Sequence, residues 1–149
     1  MWEEKIMLHY GTKYITDAQA VMTEYRLPRG FAAIRDRRYL LRPEAIESVF
    51  VMYRITGEEV YLDYAWDMFK AVVAASRTNF ANGQVRDVTL KVASPVEGNV
   101  EDKMESFWVA ETLKYFYLVF STPDVVSLDD WVFNTEAHPF RRPKARGER

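Results

Sequence analysis

The stretch from residue 104 to residue 120 is the feature that most constrains what this chain can fold into. Its apolar side chains, Phe107, Trp108 and Phe116 among them, leave almost no polar side. A helix of this composition is stable only where other elements cover most of its surface. We therefore predict a helix over about residues 103–120 that is buried on most sides.

Carboxylates stand among the apolar residues of two segments. Glu111 lies within the stretch just described, and Glu44 and Glu47 lie in a second helical segment at about residues 43–57. A carboxylate on a buried face is unfavourable unless it is paired, bound to a ligand or open to a wet cavity. Several such faces that converge would form an acidic pocket, as glycoside hydrolysis or calcium binding requires.

Helix signals divide much of the remaining chain into closely connected elements. Residues 16–25 predict a first helix with a threonine or aspartate cap. Pro43 suits the first turn of the second helix, and Gly57 suits its C-terminal cap. Apolar residues between positions 61 and 72 recur at three- and four-residue steps, which predicts a third helix antiparallel to the second.

The other segments predict short strands, turns and charged surface. Residues 84–92 are rich in β-forming residues and predict a strand or hairpin, and residues 129–139 predict a short strand and turn. The charged run at residues 35–38 is most simply a solvated surface. The basic tail at residues 141–149 is expected to fray.

Composition excludes several classes of protein. The chain has 149 residues, enough for one domain, and its net charge of -2 gives no general attraction to nucleic acid. It has no cysteine, so disulfides and thiolate metal sites are excluded. No apolar run reaches the roughly 20 residues that span a bilayer, and the first residues lack the pattern of a secretory signal.

Four blocks of sequence together resemble glycoside hydrolase family 47, the class I α-1,2-mannosidases that trim N-linked glycans. The blocks lie at residues 39–48, 86–89, 102–115 and 127–139, and their order and spacing both fit the family. The amino-acid sequence of these blocks is similar to that of fungal members. The resemblance implies a partial catalytic domain over residues 1–140, followed by the flexible tail.

The fold and activity of the family follow as implications of this resemblance. It implies an all-α fold, the C-terminal third of an (α/α)7 barrel with a small strand element and a calcium ion at the barrel floor. The implied reaction is the inverting hydrolysis of terminal α-1,2-linked mannose from high-mannose N-glycans. The implied location is the secretory pathway, in the endoplasmic reticulum or Golgi lumen or outside the cell, with any membrane anchor upstream of this chain.

Residue by residue, the resemblance assigns roles within the matched blocks. Glu44 matches the carboxylate that acts as catalytic base, and Thr135 matches the threonine that binds calcium. Glu47 matches an acid beside the same wet floor of the barrel. The residues that match those lining the substrate mannose are Arg42, Phe107, Glu111 and Glu136.

Several of these residues also have a simpler structural interpretation. Glu44 and Glu47 lie at a helix start, where the helix dipole favours acids. Phe107 and Glu111 share one helix face and would equally suit a core aromatic beside a paired acid. A threonine close to a strand end, such as Thr135, is usually structural.

The matched region also limits the functional prediction. The general acid of the family, a second catalytic aspartate and a disulfide all lie upstream of the matched blocks, so we expect this chain alone to be inactive. The alternatives are a relative that binds glycan without cleaving it and a truncated gene product without a function. A partial barrel would expose large apolar faces, and association or aggregation is then expected.

His138 is predicted to form a turn hydrogen bond rather than bind a metal.

Overall fold

The computed structural model describes Lys5 and residues 18–90 and 97–143, so the predicted cap at residues 16 and 17 lies outside the described part. The described elements, in chain order, are α1 (Ala18–Glu24), α2 (Glu44–Thr56), α3 (Val60–Ser76), β1 (Gln84–Val85), β2 (Val100–Glu101), a π-helix (Trp108–Leu113), α4 (Lys114–Val119), β3 (Trp131–Phe133) and β4 (Pro139–Arg141). The expectation of a helical fold with small strand elements is confirmed. None of these helices is long and apolar enough to cross a bilayer.

Helices α2 and α3 pack against each other, and a short connection joins them, as predicted. The first of them ends at Gly57, whose φ of +70° lies in the left-handed region that glycine adopts without strain. The Gly57 N–H donates to the Tyr53 carbonyl at 2.8 Å, and α3 begins at Val60. The predicted boundaries of α2, from Pro43 to Gly57, are therefore confirmed.

The main core lies where α2, α3 and α4 meet. The rings of Phe50, Tyr115 and Phe133 are all in mutual contact, with centroid separations of 5.5, 5.8 and 5.6 Å. Such aromatic contacts stabilise a core beyond the area that they bury. Since Phe133 belongs to β3, the β3–β4 hairpin is held on the same core as the helices.

The apolar helix begins later than predicted. At Lys103 the chain is still extended, and its carbonyl accepts the Gln84 N–H at 3.0 Å beside β1. Helical structure starts at Phe107 and continues through the π-helix into α4. The π-helix was not predicted, because apolar periodicity does not distinguish its wider turn from an α-helical turn.

The prediction that this helix is buried on most sides is confirmed, but part of its apolar surface is exposed. Trp108, Tyr115 and Phe116 are buried, but Val109 is 58% exposed and Tyr117 is 68% exposed. No segment of the described part of the chain covers these side chains. The expected exposure of apolar faces is therefore present.

Sheet structure is shorter than predicted in the first segment. Only Gln84 and Val85 of the predicted strand form β1, which pairs antiparallel with β2. The strand ends early because the Asp87 carboxylate accepts the Thr89 N–H at 2.9 Å, and this local bond turns the chain. Residues 91 and 92 of the prediction lie outside the described ranges.

The second predicted strand and turn is confirmed as the β3–β4 hairpin. Trp131 lies opposite Arg141 in its register, and the Arg142 N–H donates to the Asp130 carbonyl at 2.7 Å. The first two residues of the predicted flexible tail therefore take part in the hairpin, while residues 144–149 lie outside the described part.

The prediction that the charged run at residues 35–38 is a solvated surface is wrong for Arg37. Arg37 is half-buried and donates to the Tyr25 carbonyl at 2.7 Å. Arg26 and Arg37 both pair with Asp87 and so attach the small core around α1 to the β1 region. The prediction failed because Asp87, the anionic partner, is distant in the sequence.

Candidate functional site

One part of the site lies at the start of α2. Leu41 is fully buried and has a φ of +61°, so the chain turns sharply just before the helix. Arg42 and Glu44 are both exposed beyond this turn, with Arg42 Nη1 3.7 Å from Glu44 Oε1. The Arg42 guanidinium also lies 5.3 Å from the centroid of the Phe107 ring, within cation–π range. The structure therefore brings three of the predicted site residues together.

The π-helix supplies a second part of the site. Phe107 precedes this helix and Glu111 lies within it. An insertion of π geometry changes which side chains share a face, and such turns occur frequently at functional sites. Phe107 and Glu111 are each half-buried, so each retains a surface that a ligand can reach.

Carboxylates from three elements interact electrostatically around Glu111. Partial burial raises the pKa of Glu111 above its usual range, and the negative charges of Glu136, Glu44 and Glu47 raise it further. The positive charge of Lys114 opposes these effects. The start of α2 and the β3–β4 loop are both hydrogen-bonded to the helical segment that carries Glu111, so the three elements meet at one acidic surface.

The β3–β4 loop carries Thr135 and Glu136 at this surface. The Asn134 side-chain oxygen accepts the N–H groups of Glu136 and His138 at 3.1 and 2.8 Å, so the loop is held from within. Ala137 is buried and has a φ of +56°. Thr135 and Glu136 are consequently left on the exposed side of the loop.

Glu47 is the acid most closely tied to the core. The Tyr115 hydroxyl donates to Glu47 Oε1 at 3.2 Å. Burial raises the pKa of Tyr115 well above its usual range, and the charge of Glu47 adds to that effect. The hydroxyl therefore stays protonated and fixes the Glu47 carboxylate on one side.

The histidine prediction concerns the same loop. His138 forms its turn hydrogen bond through the backbone, and its Nδ1 lies 3.8 Å from Glu136 Oε2. Across residues 18–90 and 97–143, no three or more histidine and acidic side chains are arranged to hold a metal ion. A metal at this surface would therefore depend on hydroxyl, carbonyl and water oxygens as well as carboxylates.

Two polar residues that the sequence reasoning missed hold this arrangement together. The Thr112 hydroxyl donates to the Leu41 carbonyl at 2.6 Å, and Lys114 Nζ donates to the Ala137 carbonyl at 2.8 Å. The available signal was a threonine and a lysine within a mostly apolar helix. A polar group on a buried face requires a partner, and both residues have one.

Apolar clefts lie elsewhere on the described surface. One is formed largely by α3 and the residues that follow β1, one by Trp66, Phe116 and their neighbours, and one by the end of α1 and residues 88–90. None of the predicted site residues lines any of these clefts. The acidic surface is open rather than enclosed by the described residues.

The chain belongs to glycosyl hydrolase family 47, whose model matches residues 4–142. In three dimensions it is similar to the α-1,2-mannosidase from Trichoderma reesei, with a TM-score of 0.65 and 41% sequence identity. That match covers 72% of this chain and 22% of the Trichoderma chain. The resemblance drawn from the four sequence blocks is therefore confirmed.

Curated relatives from a plant and an animal are similar to the same degree. The mannosyl-oligosaccharide 1,2-α-mannosidase MNS1 of Arabidopsis thaliana is 45% identical over 68% of this chain and 17% of its own length. The endoplasmic reticulum mannosyl-oligosaccharide 1,2-α-mannosidase of Homo sapiens is 45% identical over 70% of this chain and 15% of its own length. The chain thus spans less than a quarter of the length of these relatives.

Proposed function

We propose that this chain is part of the catalytic domain of a calcium-dependent α-1,2-mannosidase, which removes terminal α-1,2-linked mannose from high-mannose N-glycans with inversion. The observation that carries the proposal is that the segments bearing Glu44 and Glu136 are both hydrogen-bonded to the helical segment that bears Glu111. The relatives named as 1,2-α-mannosidases supply the substrate class. Trimming of these glycans would place the protein in the secretory pathway.

Glu44 is proposed as the catalytic base. Its side chain is 66% exposed, so a water molecule has room to bind against the carboxylate. The Arg42 guanidinium lies beside it, with Nη1 3.7 Å from Glu44 Oε1. An inverting base activates a water on the face of the sugar opposite the leaving group, and the two working carboxyl groups are typically ~6.5–9.5 Å apart. The partner acid is expected from the remainder of the domain.

The other predicted residues are proposed to bind the terminal mannose. The Phe107 ring offers an apolar face for a sugar ring, and Arg42 holds that ring from one side. Glu111 and Glu136 offer carboxylate oxygens that accept hydrogen bonds from sugar hydroxyls. Partial burial and the neighbouring negative charges raise the pKa of Glu111, and hydrogen bonds from sugar hydroxyls or a nearby cation would stabilise its ionised form.

Calcium suits the donor set at the β3–β4 loop. Thr135 offers a hydroxyl and a carbonyl oxygen, and Glu44, Glu47, Glu111 and Glu136 concentrate negative charge around the loop. Calcium takes six to eight oxygen ligands and accepts hydroxyls, carbonyls and waters. When bound, the ion would orient sugar hydroxyls and lower the pKa of a bound water. Thr135 would hold it, and Glu47 would hold its waters.

Residues 1–140 are proposed to form one portion of an (α/α)7 barrel. The packed helix pair, the similarity to the Trichoderma enzyme and the uncovered apolar faces support this architecture. The remainder of the barrel would supply the general acid and the opposite wall of the sugar site. We therefore expect that the 149-residue chain alone releases no mannose.

A chimera tests the proposal. The matching segment of the Trichoderma enzyme is replaced by this chain, and release of free mannose from a high-mannose N-glycan is measured. We expect calcium-dependent release that falls by about 10²–10⁴-fold on Glu44→Gln, the range for loss of a general base. Glu58→Gln, a change at an exposed acid between α2 and α3, is the matched control and should have no effect.

Two outcomes would contradict the proposal. Mannose release by the 149-residue chain alone would show that no further domain portion is needed. A soluble, folded chimera that binds the glycan but releases no mannose would favour the non-catalytic glycan-binding alternative.

A further inference from the structure

We propose that Thr112 and Lys114 are positioning residues, each of which anchors one segment of the site to the helical segment Trp108–Val119. Thr112 donates a hydrogen bond to the Leu41 carbonyl before α2, and Lys114 donates one to the Ala137 carbonyl in the β3–β4 loop. This inference rests on the proposed function, because it concerns the placement of the residues to which that function is assigned. It assigns neither residue a contact with substrate.

The first anchor acts on the segment that carries the proposed base. Leu41 is fully buried in a left-handed conformation, which is unfavourable for a branched side chain without support. Thr112 is also fully buried, and its hydroxyl donates to the Leu41 carbonyl at 2.6 Å. That carbonyl belongs to the peptide joining Leu41 to Arg42. Fixing this peptide therefore sets the direction in which Arg42 and Glu44 leave the turn.

The second anchor acts on the loop that carries the proposed calcium ligand. Ala137 is buried, and its φ of +56° is the second strained backbone position at this surface. Lys114 Nζ donates to its carbonyl at 2.8 Å, and a charged donor makes this a strong bond. Since Ala137 directly follows Glu136, the hydrogen bond from Lys114 sets how far Thr135 and Glu136 lie from the helix.

The two anchors share one helical segment with Glu111. Thr112 lies in the π-helix and Lys114 begins α4, so one continuous element carries the sugar-binding acid and both donors. The spacing of Glu44, Glu111 and Thr135 is consequently set through one continuous helical segment. Small displacements of reacting groups cost large factors in rate, so loss of an anchor should affect catalysis even though no reacting group is removed.

Simpler roles exist for both residues and must be distinguished. Thr112 could serve only to satisfy its own buried hydroxyl, and Lys114 could serve only as a positive charge beside Glu111. Thr112→Val removes the donor at constant shape, whereas Thr112→Ser keeps it. Lys114→Met removes the donor and the charge, whereas Lys114→Arg keeps both, so the backbone conformation of Ala137 must separate the two roles of Lys114, because a charge acting only on Glu111 would not fix it.

Carbon-13 NMR of the 149-residue chain tests the anchors directly. The Cα and Cβ shifts of Leu41 and Ala137 report whether their φ angles remain positive. We expect Thr112→Val to shift Leu41 alone and Lys114→Met to shift Ala137 alone, while Thr112→Ser and Lys114→Arg preserve the wild-type values. If the shifts of both residues stay unchanged in Thr112→Val and Lys114→Met, the inference is wrong.

Mannose release by the chimera tests the consequence. We expect Thr112→Val and Lys114→Met to lower kcat by about 10–100-fold with a smaller change in KM, as is usual for groups that orient others, and the conservative variants to retain most activity. Equal losses in the conservative and non-conservative variants would overturn the positioning role. If the wild-type chimera is inactive, the proposed function fails, and the NMR measurement still decides whether the anchors exist.

Discussion

At the scale of single residues, Arg54 holds the end of α4. Its guanidinium donates to the carbonyls of Leu118, Pro123 and Val125 at 2.9, 2.7 and 3.2 Å. The guanidinium carbon also lies 5.0 Å from the centroid of the Phe50 ring. A planar fork that reaches several carbonyls at once has no equivalent in lysine. Arg54 therefore determines the path of the chain between α4 and β3.

We predict that Arg54→Lys destabilises the chain although the charge is kept. Loss of the guanidinium hydrogen bonds to the part-buried carbonyls of Leu118 and Val125 should lower the free energy of unfolding by about 1.5–3 kcal/mol, the usual range for hydrogen bonds to charged groups. Urea unfolding measures this difference. Arg35→Lys, a change at an exposed arginine, is the matched control and should be neutral. An equal stability of the two variants would show that Arg54 acts as a charge alone.

Asp87 gives a second prediction at this scale, one that depends on pH. Burial works to raise its pKa, but hydrogen bonds from Thr89 and the charges of Arg26 and Arg37 outweigh burial and hold the pKa below its usual range. A depressed pKa contributes stability that is complete above the unfolded value of about 3.9 and is lost as the pH falls through the folded value.

The Asp87→Asn variant should therefore lose stability at neutral pH. Its free energy of unfolding should also decline less steeply than that of the wild type below about pH 4, where the wild type loses the Asp87 contribution. Unfolding by urea at a series of pH values measures both effects. Asp102→Asn alters an exposed aspartate and serves as the control. An acid limb identical to that of the wild type would contradict this account.

Site residues differ in how far the sequence could predict them. Arg42, Glu44 and Phe107 could be named because they fall in dense motif blocks, and the structure brings them into contact. Thr112 and Lys114 could not be assigned a role, because their partners are backbone carbonyls. A carbonyl is present at every position of a sequence, so only the folded chain shows which one is bound.

At the scale of elements, the sequence predicts helices better than their local variations. The bounds of α2 follow from proline at its start and glycine at its end, which are signals carried by single residues. The π-helix carries no such signal, and the β1 strand is cut short by the turn at Asp87. Local hydrogen bonds made by side chains, which periodicity does not include, account for the latter difference.

Gly83 gives a prediction about the small β1–β2 sheet. A Cβ added at Gly83 would lie 2.1 Å from the backbone carbonyl oxygen of Glu101 in β2. Because that oxygen belongs to the backbone, the strands must separate to admit the methyl group. We predict that Gly83→Ala lowers the free energy of unfolding by about 1–3 kcal/mol, the range for overpacking.

Hydrogen exchange distinguishes this local effect from general destabilisation. The Gln84 amide, which donates to Lys103, should lose its protection in Gly83→Ala, while the Gly57 amide at the end of α2 should keep it. Ala81→Ser changes an exposed neighbour and is the control. Unchanged protection at Gln84 would mean that the sheet accommodates the methyl group.

At the scale of the whole molecule, the described elements leave apolar side chains of the helices exposed to solvent. Trp66, Tyr117 and Phe120 are 51%, 68% and 47% exposed around one apolar cleft, which we term the Trp66 face. Its rings contact one another, with centroid distances of 6.0 Å for Trp66–Phe120 and 5.7 Å for Trp66–Phe69. Contiguous apolar surface of this kind is typical of an interface rather than of a free surface.

We predict that the 149-residue chain self-associates in solution through the Trp66 face. The double variant Trp66→Gln and Tyr117→Gln should reduce this association, because both side chains are exposed and their loss removes apolar area without opening the core. Sedimentation velocity over a range of concentrations measures the effect. Phe80→Gln is the control, since Phe80 is fully exposed but lies outside the Trp66 face. A chain that stays monomeric at every concentration, or a Phe80→Gln variant that dissociates as readily as the double variant, would contradict the prediction.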